Sequence, residues 1–189
     1  RWMTAKEAGS VVEKYAVHYD VSKSGASKET VEYVVRVQAE DAKTSASQFA
    51  IDYNALTDKV EILEAYTLNG KNKIAVEASA IEDRDKGESK DYDAMKIKSV
   101  VFPQVEIGSV LHIRYVLHMQ KPIIEGRWST NVSVAPGNFV EKLEIRVQSE
   151  VPLFYESVDP RGYLTVKRKE KGRLIEIANK KTLPGWVHA

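Results

Sequence analysis

The sequence predicts an all-β fold, an antiparallel two-sheet β-sandwich of about ten to twelve strands with little helix. Three observations predict it: apolar and polar residues alternate along most of the chain, turn residues recur every 8–12 positions or so, and no amphipathic helical stripe exceeds about two turns. The chain has 189 residues, 43% of them hydrophobic, and a net charge of +1. This composition excludes wholesale disorder, and the length allows a sizeable buried core.

The first third of the chain predicts a hairpin followed by a short strand. Apolar residues alternate over residues 15–21 and 31–37, on either side of a Ser-Lys-Ser-Gly cluster at 22–25. Such a cluster is typical of a turn, because glycine accepts a positive φ. Residues 39–48 are small and polar and predict a loop or a short helical turn, after which residues 49–53 predict a third strand.

The strongest local signal is Asn69-Gly70, which separates alternating runs at 60–68 and 74–78. We therefore predict a hairpin with a type I′ turn, in which both central residues have a positive φ. The next segment, residues 82–93, carries six acids and three bases and predicts a charged loop. Its glycine falls at the fifth position of a calcium-like pattern, not the sixth, so a hydrated loop is favoured and a bound cation stays an open alternative.

The remaining predicted strands cover residues 95–101, 111–119, 128–134, 143–147, 163–169 and 173–178. The last two flank Gly172 and predict a final hairpin. No segment rich in glycine, proline or serine divides the chain. We therefore predict one domain over residues 1–180, and a tail at 181–189 that leads towards a further domain.

Several classes of chemistry find no support in the sequence. The chain has no cysteine, which removes disulfides, zinc–thiolate sites and thiol nucleophiles. There is no GxSxG element and no glycine-rich phosphate loop. The balanced charge argues against nucleic acid as a partner, and no apolar run approaches the roughly 20 residues of a membrane-spanning helix. We expect no catalytic, cofactor-binding or metal-binding residues.

Interaction residues are predicted first on the strand at 111–119. His112, Arg114 and His118 share one parity, so they lie on the face opposite the apolar stripe. The two histidines are roughly 20 Å apart along a strand and cannot bind one metal ion together. The simplest interpretation is a solvated polar face, and an interaction surface is the alternative.

The C-terminal hairpin supplies a second candidate, Lys167, Arg168 and Lys169. Between residues 161 and 181, eight lysines and arginines stand against two glutamates. Such a patch fits an acidic partner, an anionic lipid surface or a neighbouring domain, or it protects an exposed edge strand from aggregation. Trp128 is a further candidate for binding, as part of an aromatic platform or of the core. Trp2 and Trp186 better fit contacts with a neighbouring domain.

Together, four features resemble a bacterial family of domains of unknown function that precedes transglutaminase-like domains in cell-envelope proteins. They are the Asn69-Gly70 hairpin, the segment at 101–111 (VFPQVEIGSVL), the strand containing Tyr115, and Gly126-Arg127-Trp128. The resemblance covers most of residues 10–170. It implies an immunoglobulin-like or related sandwich, an extracytoplasmic location, and a downstream catalytic domain that uses Cys, His and Asp.

The main hypothesis is therefore a non-catalytic accessory module that positions a downstream transglutaminase-like or protease-like domain, or binds its substrate or partner. The ligand would be a protein, a peptide or a glycan. One alternative is a carbohydrate-binding module that uses Trp128 and tyrosines. Another is a hydrolase that uses paired carboxylates, which 27 acidic residues could form by chance.

Overall fold

The computed structural model describes residues 3–86, 94–133 and 139–185. Within these ranges the chain is nearly all β and forms a sandwich-like arrangement, which confirms the predicted fold class. Twelve strands are described, nine in a large sheet and three in a small one. The short helical turn that the sequence allows at 39–48 is also observed, since α1 covers Ala42–Ala46.

The strands follow the predicted alternation closely. The first six are β1 (Ser10–Val21), β2 (Ser27–Val37), β3 (Gln48–Asn54), β4 (Asp58–Asn69), β5 (Asn72–Ala75) and β6 (Ile81–Asp85). The other six are β7 (Met95–Val101), β8 (Val110–Met119), β9 (Phe139–Val140), β10 (Leu143–Ser149), β11 (Leu164–Lys169) and β12 (Leu174–Asn179). A one-turn 3₁₀ helix lies at Ala78–Ala80, and Glu170–Gly172 form a turn in which all three residues have a positive φ.

The large sheet joins strands that are distant in sequence. Its order is β11-β12-β10-β1-β2-β8-β4-β5, with β9 beside β1. β1 pairs with β10 and with β9 in parallel, whereas the other described neighbours are antiparallel. The parallel pairs depart from the antiparallel prediction. The small sheet has the order β3-β7-β6.

One face of the large sheet, here called the inner face, carries two apolar cores. Under β2 and β8, the side chains of Val35, Leu111 and Ile113 form the first core. They pack with Val100 of the small sheet and with Phe102, which follows β7. Across β1, β10 and β12, a second core is covered by irregular segments instead of strands. The opposite side, here called the outer face, is mostly polar. The small sheet thus covers only half of the inner face.

The hairpin at Asn69-Gly70 is confirmed, but its turn type is not. Asn69 pairs with Asn72, so the two loop residues are Gly70 and Lys71. Of these, Gly70 has a positive φ of 59° and Lys71 does not. A positive φ at the first loop residue alone is the type II′ pattern.

The predicted charged loop begins as a strand. Residues 81–85 form β6, which pairs with β7 so that Asp83 lies opposite Lys98 and Asp85 opposite Lys96. Lys98 Nζ donates to Asp83 at 2.8 Å. Cross-strand pairing of opposite charges makes this polar sequence compatible with a sheet. Residues 87–93, the rest of the predicted loop, lie outside the described residues.

The predicted strand at 128–134 is wrong over its described part. Residues 128–133 form no strand ladder, because this segment crosses the inner face of the large sheet and has no neighbouring edge to pair with. Val134 lies outside the described residues, as do Trp2 and Trp186.

The start of the predicted tail contacts the sandwich. Leu183 is 8% exposed and belongs to the core under β1 and β10. Its backbone N–H donates to the carbonyl of Val140 at 2.8 Å, and Val140 returns a bond of 3.0 Å. No helix in the described part of the chain is long and apolar enough to cross a membrane.

Candidate binding cleft

The irregularly covered half of the inner face contains a cleft of about 880 Å³. Its floor is formed by apolar side chains of β10 and β12, among them Ile145, Val147 and Ile175. Residues 128–133 form one wall and residues 153–161 the other. The volume lies within the range of about 300–1,000 Å³ that is typical of ligand sites.

The first wall is fixed to the hairpin turn between β1 and β2. Gly126 N–H donates to the carbonyl of Ser24 at 2.7 Å. Gly25 has a φ of 90°, and a Cβ there would lie 2.4 Å from the carbonyl oxygen of Arg127. Only glycine permits this approach. These contacts fix the position of Gly126-Arg127-Trp128 at the start of the first wall.

Trp128 follows that anchor and lies in the cleft wall. Its ring meets Tyr19 edge-on, with the centroids 5.3 Å apart. Two residues later, Thr130 Oγ1 donates to the hydroxyl of Tyr19 at 3.3 Å. Trp128 is half-buried, so one side of the ring belongs to the core and the other faces the cleft. The core contact is therefore observed, whereas a role of Trp128 in binding stays a prediction.

The second wall is held at its two ends. Near its start, Leu153 N–H donates to the carbonyl of Gly172 at 2.9 Å, and Arg168 Nη2 donates to the carbonyl of Leu153 at 3.1 Å. Near its end, the Asp159 carboxylate accepts the N–H groups of Leu164 and Tyr163 at 2.8 and 3.0 Å. These backbone hydrogen bonds lower the pKa of Asp159.

Between those ends, the second wall exposes large apolar side chains. Phe154 is 86% exposed and Val158 is 93% exposed. Next to Phe154, Tyr155 is 37% exposed. A cluster of exposed apolar residues beside a cleft is typical of an interaction site, whereas single exposed residues are ordinary. Sequence reasoning assigned no function to this segment, since it lacks periodicity and a chemical motif.

A carboxyl group with a raised pKa lies next to the first wall. Glu29 of β2 is opposite Tyr19 in the register of β1 and β2. Burial raises the pKa of Glu29, and the negative charge of Asp58 raises it further, although a hydrogen bond with Tyr19 opposes both. Burial followed by the charge of Glu29 raises the pKa of Tyr19 to about 12.

The predicted residues of β8 lie on the outer face, away from the cleft. His112 stacks on Tyr66 with ring centroids 4.8 Å apart, and its Nε2 is 3.5 Å from Glu32 Oε1. His118 Nε2 is 3.8 Å from Glu61 Oε2. Arg114 is exposed between them. The shared parity is as the sequence predicts, and each histidine has a separate glutamate neighbour.

The Glu32 carboxylate connects two of these strands to β1. Lys14 Nζ donates to it at 3.0 Å. Partial burial raises the pKa of Glu32, but the hydrogen bond and charge of Lys14, together with His112, outweigh that and lower the pKa. Around Glu32, the outer face thus carries opposite charges in neighbouring pairs.

The basic residues of β11 do not form one site. Arg168 lies opposite Ile175, on the inner face, whereas Lys167 and Lys169 lie on the outer face. Lys169 Nζ donates to Glu176 at 2.6 Å. The alternation of strand side chains therefore divides the predicted basic run between the two faces. Arg168 holds the cleft wall, and the two lysines border the outer side of an edge strand.

The other motif residues of the sequence have structural contacts. The Asn69 side chain donates to the carbonyl of Gln104 at 2.9 Å and accepts the hydroxyl of Ser109. Glu106 N–H donates to that same Ser109 oxygen at 2.8 Å. These bonds tie the hairpin to the segment before β8. Within the described ranges, no group of three or more His, Cys, Asp or Glu residues is placed to hold a metal ion.

Comparison with known proteins identifies the family to which most of the chain is similar. Residues 23–179 match the model of a family described as a domain of unknown function with a solved structure, DUF3857. Among curated proteins, none matches the chain.

Solved structures include a strong likeness. A proposed protease from Parabacteroides distasonis superposes with a TM-score of 0.77 over 96% of this chain, at 12% identity. The chain spans only 37% of that protein's length. At this identity the likeness shows the fold alone.

Two weaker likenesses carry no argument about function. An M1 zinc metallopeptidase from Deinococcus radiodurans has a TM-score of 0.40 at 14% identity, covering 93% of this chain and 40% of its own. A carbohydrate-binding module from a Clostridium thermocellum scaffoldin has a TM-score of 0.35 at 8% identity, covering 66% and 79%.

Proposed function

The chain belongs to the DUF3857 family, and we propose that it is a non-catalytic interaction module of a longer bacterial protein. In this role it holds a neighbouring catalytic domain, or that domain's substrate or partner, through the cleft. The observation that carries the proposal is the 880 Å³ cleft whose second wall exposes Phe154 and Val158. An apolar surface of this kind gains stability when a partner covers it.

Two charged residues at the second wall, Asp159 and Arg168, have structural roles, which fits a scaffold better than a catalyst. Asp159 accepts backbone N–H groups, and Arg168 donates to a backbone carbonyl. A general base or nucleophile needs free capacity towards a substrate. The hydrogen bonds of Asp159 and Arg168 are instead made to backbone groups, and they fix the shape of the wall.

The resemblance noted in the sequence supplies the context of the proposal. We infer that the parent protein is extracytoplasmic and that its catalytic residues, Cys, His and Asp of a transglutaminase-like or protease-like domain, lie outside this chain. The chain itself needs no cofactor in this role. That the similar structure from Parabacteroides distasonis is far longer than the matched part is consistent with a module in a larger protein.

The proposal is tested by binding between this chain and the remainder of its parent protein, produced separately. The double variant Phe154→Asp/Val158→Asp places charges on the apolar wall, and we expect binding to weaken by about tenfold or more in calorimetry. Leu56→Asp/Ile107→Asp is the matched control, because it also adds two charges. Leu56 is 76% exposed in the turn between β3 and β4, and Ile107 is 58% exposed before β8. Equal binding of the double variant and the control would contradict the proposal that the cleft is the binding surface.

Activity assays decide the remaining alternatives. Parent protein that lacks residues 1–180 should lose activity on its natural substrate, because the catalytic domain loses its positioning module. Turnover of a glycoside or peptide by the isolated chain would instead support the carboxylate-dependent hydrolase. Glycan binding that is lost in Trp128→Ala would support the carbohydrate-binding module.

A further inference from the structure

The free edge of β11 forms a second surface, distinct from the cleft. β11 ends the strand order of the large sheet and pairs only with β12 among the described strands. Lys180 N–H donates to the carbonyl of Tyr163. Because hydrogen-bonded positions alternate in an antiparallel pair, the N–H and C=O groups of Val166 and Arg168 point away from β12.

Those outward groups are available for pairing. Leu164 N–H also points outward, but it donates to Asp159 at 2.8 Å. No hydrogen bond to another described residue is seen for the backbone of Val166 or Arg168 on this side. An unpaired strand edge is a template for a further strand. The accessible template therefore begins after Leu164.

The charge beside this edge is strongly positive on one face. Lys167 and Lys169 lie on the outer face, where Glu176 of β12 is their nearest carboxylate neighbour in the register. Lys169 binds it directly, and Arg146 and Lys167 act on the same carboxylate electrostatically. One glutamate thus faces three cations, which leaves an excess of positive charge.

The inner side of the same edge is different. Val166 is half-buried and packs against the core of β1, β10 and β12. A strand added to β11 would place alternate side chains on the two faces. One set would neighbour the lysines. The other would neighbour Val166 and Arg168, whose guanidinium is directed to the carbonyl of Leu153.

From this arrangement we propose that the edge of β11 binds an extended peptide segment in which acidic and apolar residues alternate. The acids pair with Lys167 and Lys169, the apolar side chains lie beside Val166, and the backbone bonds the outward groups of Val166 and Arg168. A second copy of β11 does not fit, because lysines would meet lysines across the new pair.

The test uses the chain itself and labelled nine-residue peptides. One peptide alternates glutamate and valine, and the other contains the same residues in two blocks. We expect fluorescence anisotropy to show binding of the alternating peptide, with the block peptide about tenfold weaker or more. Peptide binding should also slow hydrogen exchange at the amides of Val166 and Arg168.

A charge reversal identifies the surface. Lys167→Glu/Lys169→Glu should weaken binding of the alternating peptide by roughly tenfold, because two attractive charge pairs become repulsive. Lys59→Glu/Lys71→Glu, on exposed lysines of β4 and its turn, makes the same change in net charge and should leave affinity within about twofold.

Three results would overturn the proposal. They are no detectable binding of the alternating peptide, equal binding of the two peptides, and unchanged exchange at Val166 and Arg168. Binding of the chain to phosphatidylserine vesicles with no binding of the peptide would assign the basic edge to a membrane surface instead. The proposed function depends on the cleft, which is a different surface. These results therefore do not decide it, and the binding experiment with Phe154→Asp/Val158→Asp does.

Discussion

Gly25 links the hairpin turn between β1 and β2 to the first wall of the cleft. Its φ of 90° disfavours every other residue, and a Cβ would lie 2.4 Å from the backbone oxygen of Arg127. Sequence alone predicts a turn glycine here, whereas the contact with a segment about 100 residues away becomes visible only in the structure. The identity of Gly25 is therefore set by long-range packing as well as by the turn.

Gly25→Ala should destabilise the chain by about 2–4 kcal/mol, because it adds a backbone clash to an unfavourable φ. Gly70→Ala is the matched control. Gly70 has a φ of 59° and open space around it, so its cost should be about 1 kcal/mol. Urea unfolding followed by circular dichroism measures both. Equal costs would contradict the proposed contact with Arg127.

Glu29 predicts a specific pH dependence of stability. Its pKa is raised in the folded state, mainly by burial and then by the charge of Asp58. The neutral form is therefore favoured in the fold, so its contribution is fully present below the unfolded-state pKa and is lost as pH rises through the folded-state pKa.

Glu29→Gln removes that titration. We expect its Tm to exceed that of the wild type at neutral pH, and the difference to shrink as the pH falls below the ordinary glutamate value. Thermal melts from pH 3 to pH 8 or so give the comparison. A variant that is less stable than the wild type at neutral pH would show that the ionised form of Glu29 stabilises the fold.

At the scale of elements, alternation identified strands wherever one face is apolar. β1, β2, β4, β8 and β10 were predictable for this reason. β6 was missed because its charges match lysines on β7, a pairing that a local pattern does not show. The segment at 128–134 was predicted as a strand, but its described residues, 128–133, form no ladder.

The cleft was only partly predictable. Trp128 was identified as a candidate, yet the second wall at 153–161 was not. The exposed apolar residues of this wall follow no periodic pattern. They become a candidate binding surface only because β10 and β12 form a cleft floor beside them. The parallel pairing of β1 with β10 joins segments more than 100 residues apart, and no sequence pattern specifies it.

Arg168→Ala tests how the second wall is held. The change removes the hydrogen bond from the guanidinium to the carbonyl of Leu153, so we expect a local loss of about 1 kcal/mol and roughly fivefold faster hydrogen exchange at the Leu153 amide. Lys169→Ala is the control, because it removes only a surface pair with Glu176. Equal exchange rates in the two variants would contradict the role of Arg168.

At the scale of the whole molecule, the second core is assembled from both ends of the chain. Val12, Val17 and Tyr19 come from β1, whereas Val140, Leu183 and residues of β10 and β12 come from the last 50 or so residues. Neither part can bury these side chains by itself. The domain boundary predicted at residue 180 therefore passes before a core residue.

A chain that ends at residue 180 should be less stable than one that ends at residue 185, by about 2–4 kcal/mol. It loses the buried Leu183 side chain and the backbone bonds between Leu183 and Val140. Chemical unfolding of the two chains gives the difference. Equal stabilities would mean that Leu183 contributes nothing to the core.

The most direct test of the interaction-module account is hydrogen exchange across this chain, free and mixed with the remainder of its parent protein. The account predicts slower exchange at residues 128–133 and 153–161, the two walls of the cleft, and little change on the outer-face strand β8 around His112. Protection confined to the outer face, or none anywhere, would contradict it.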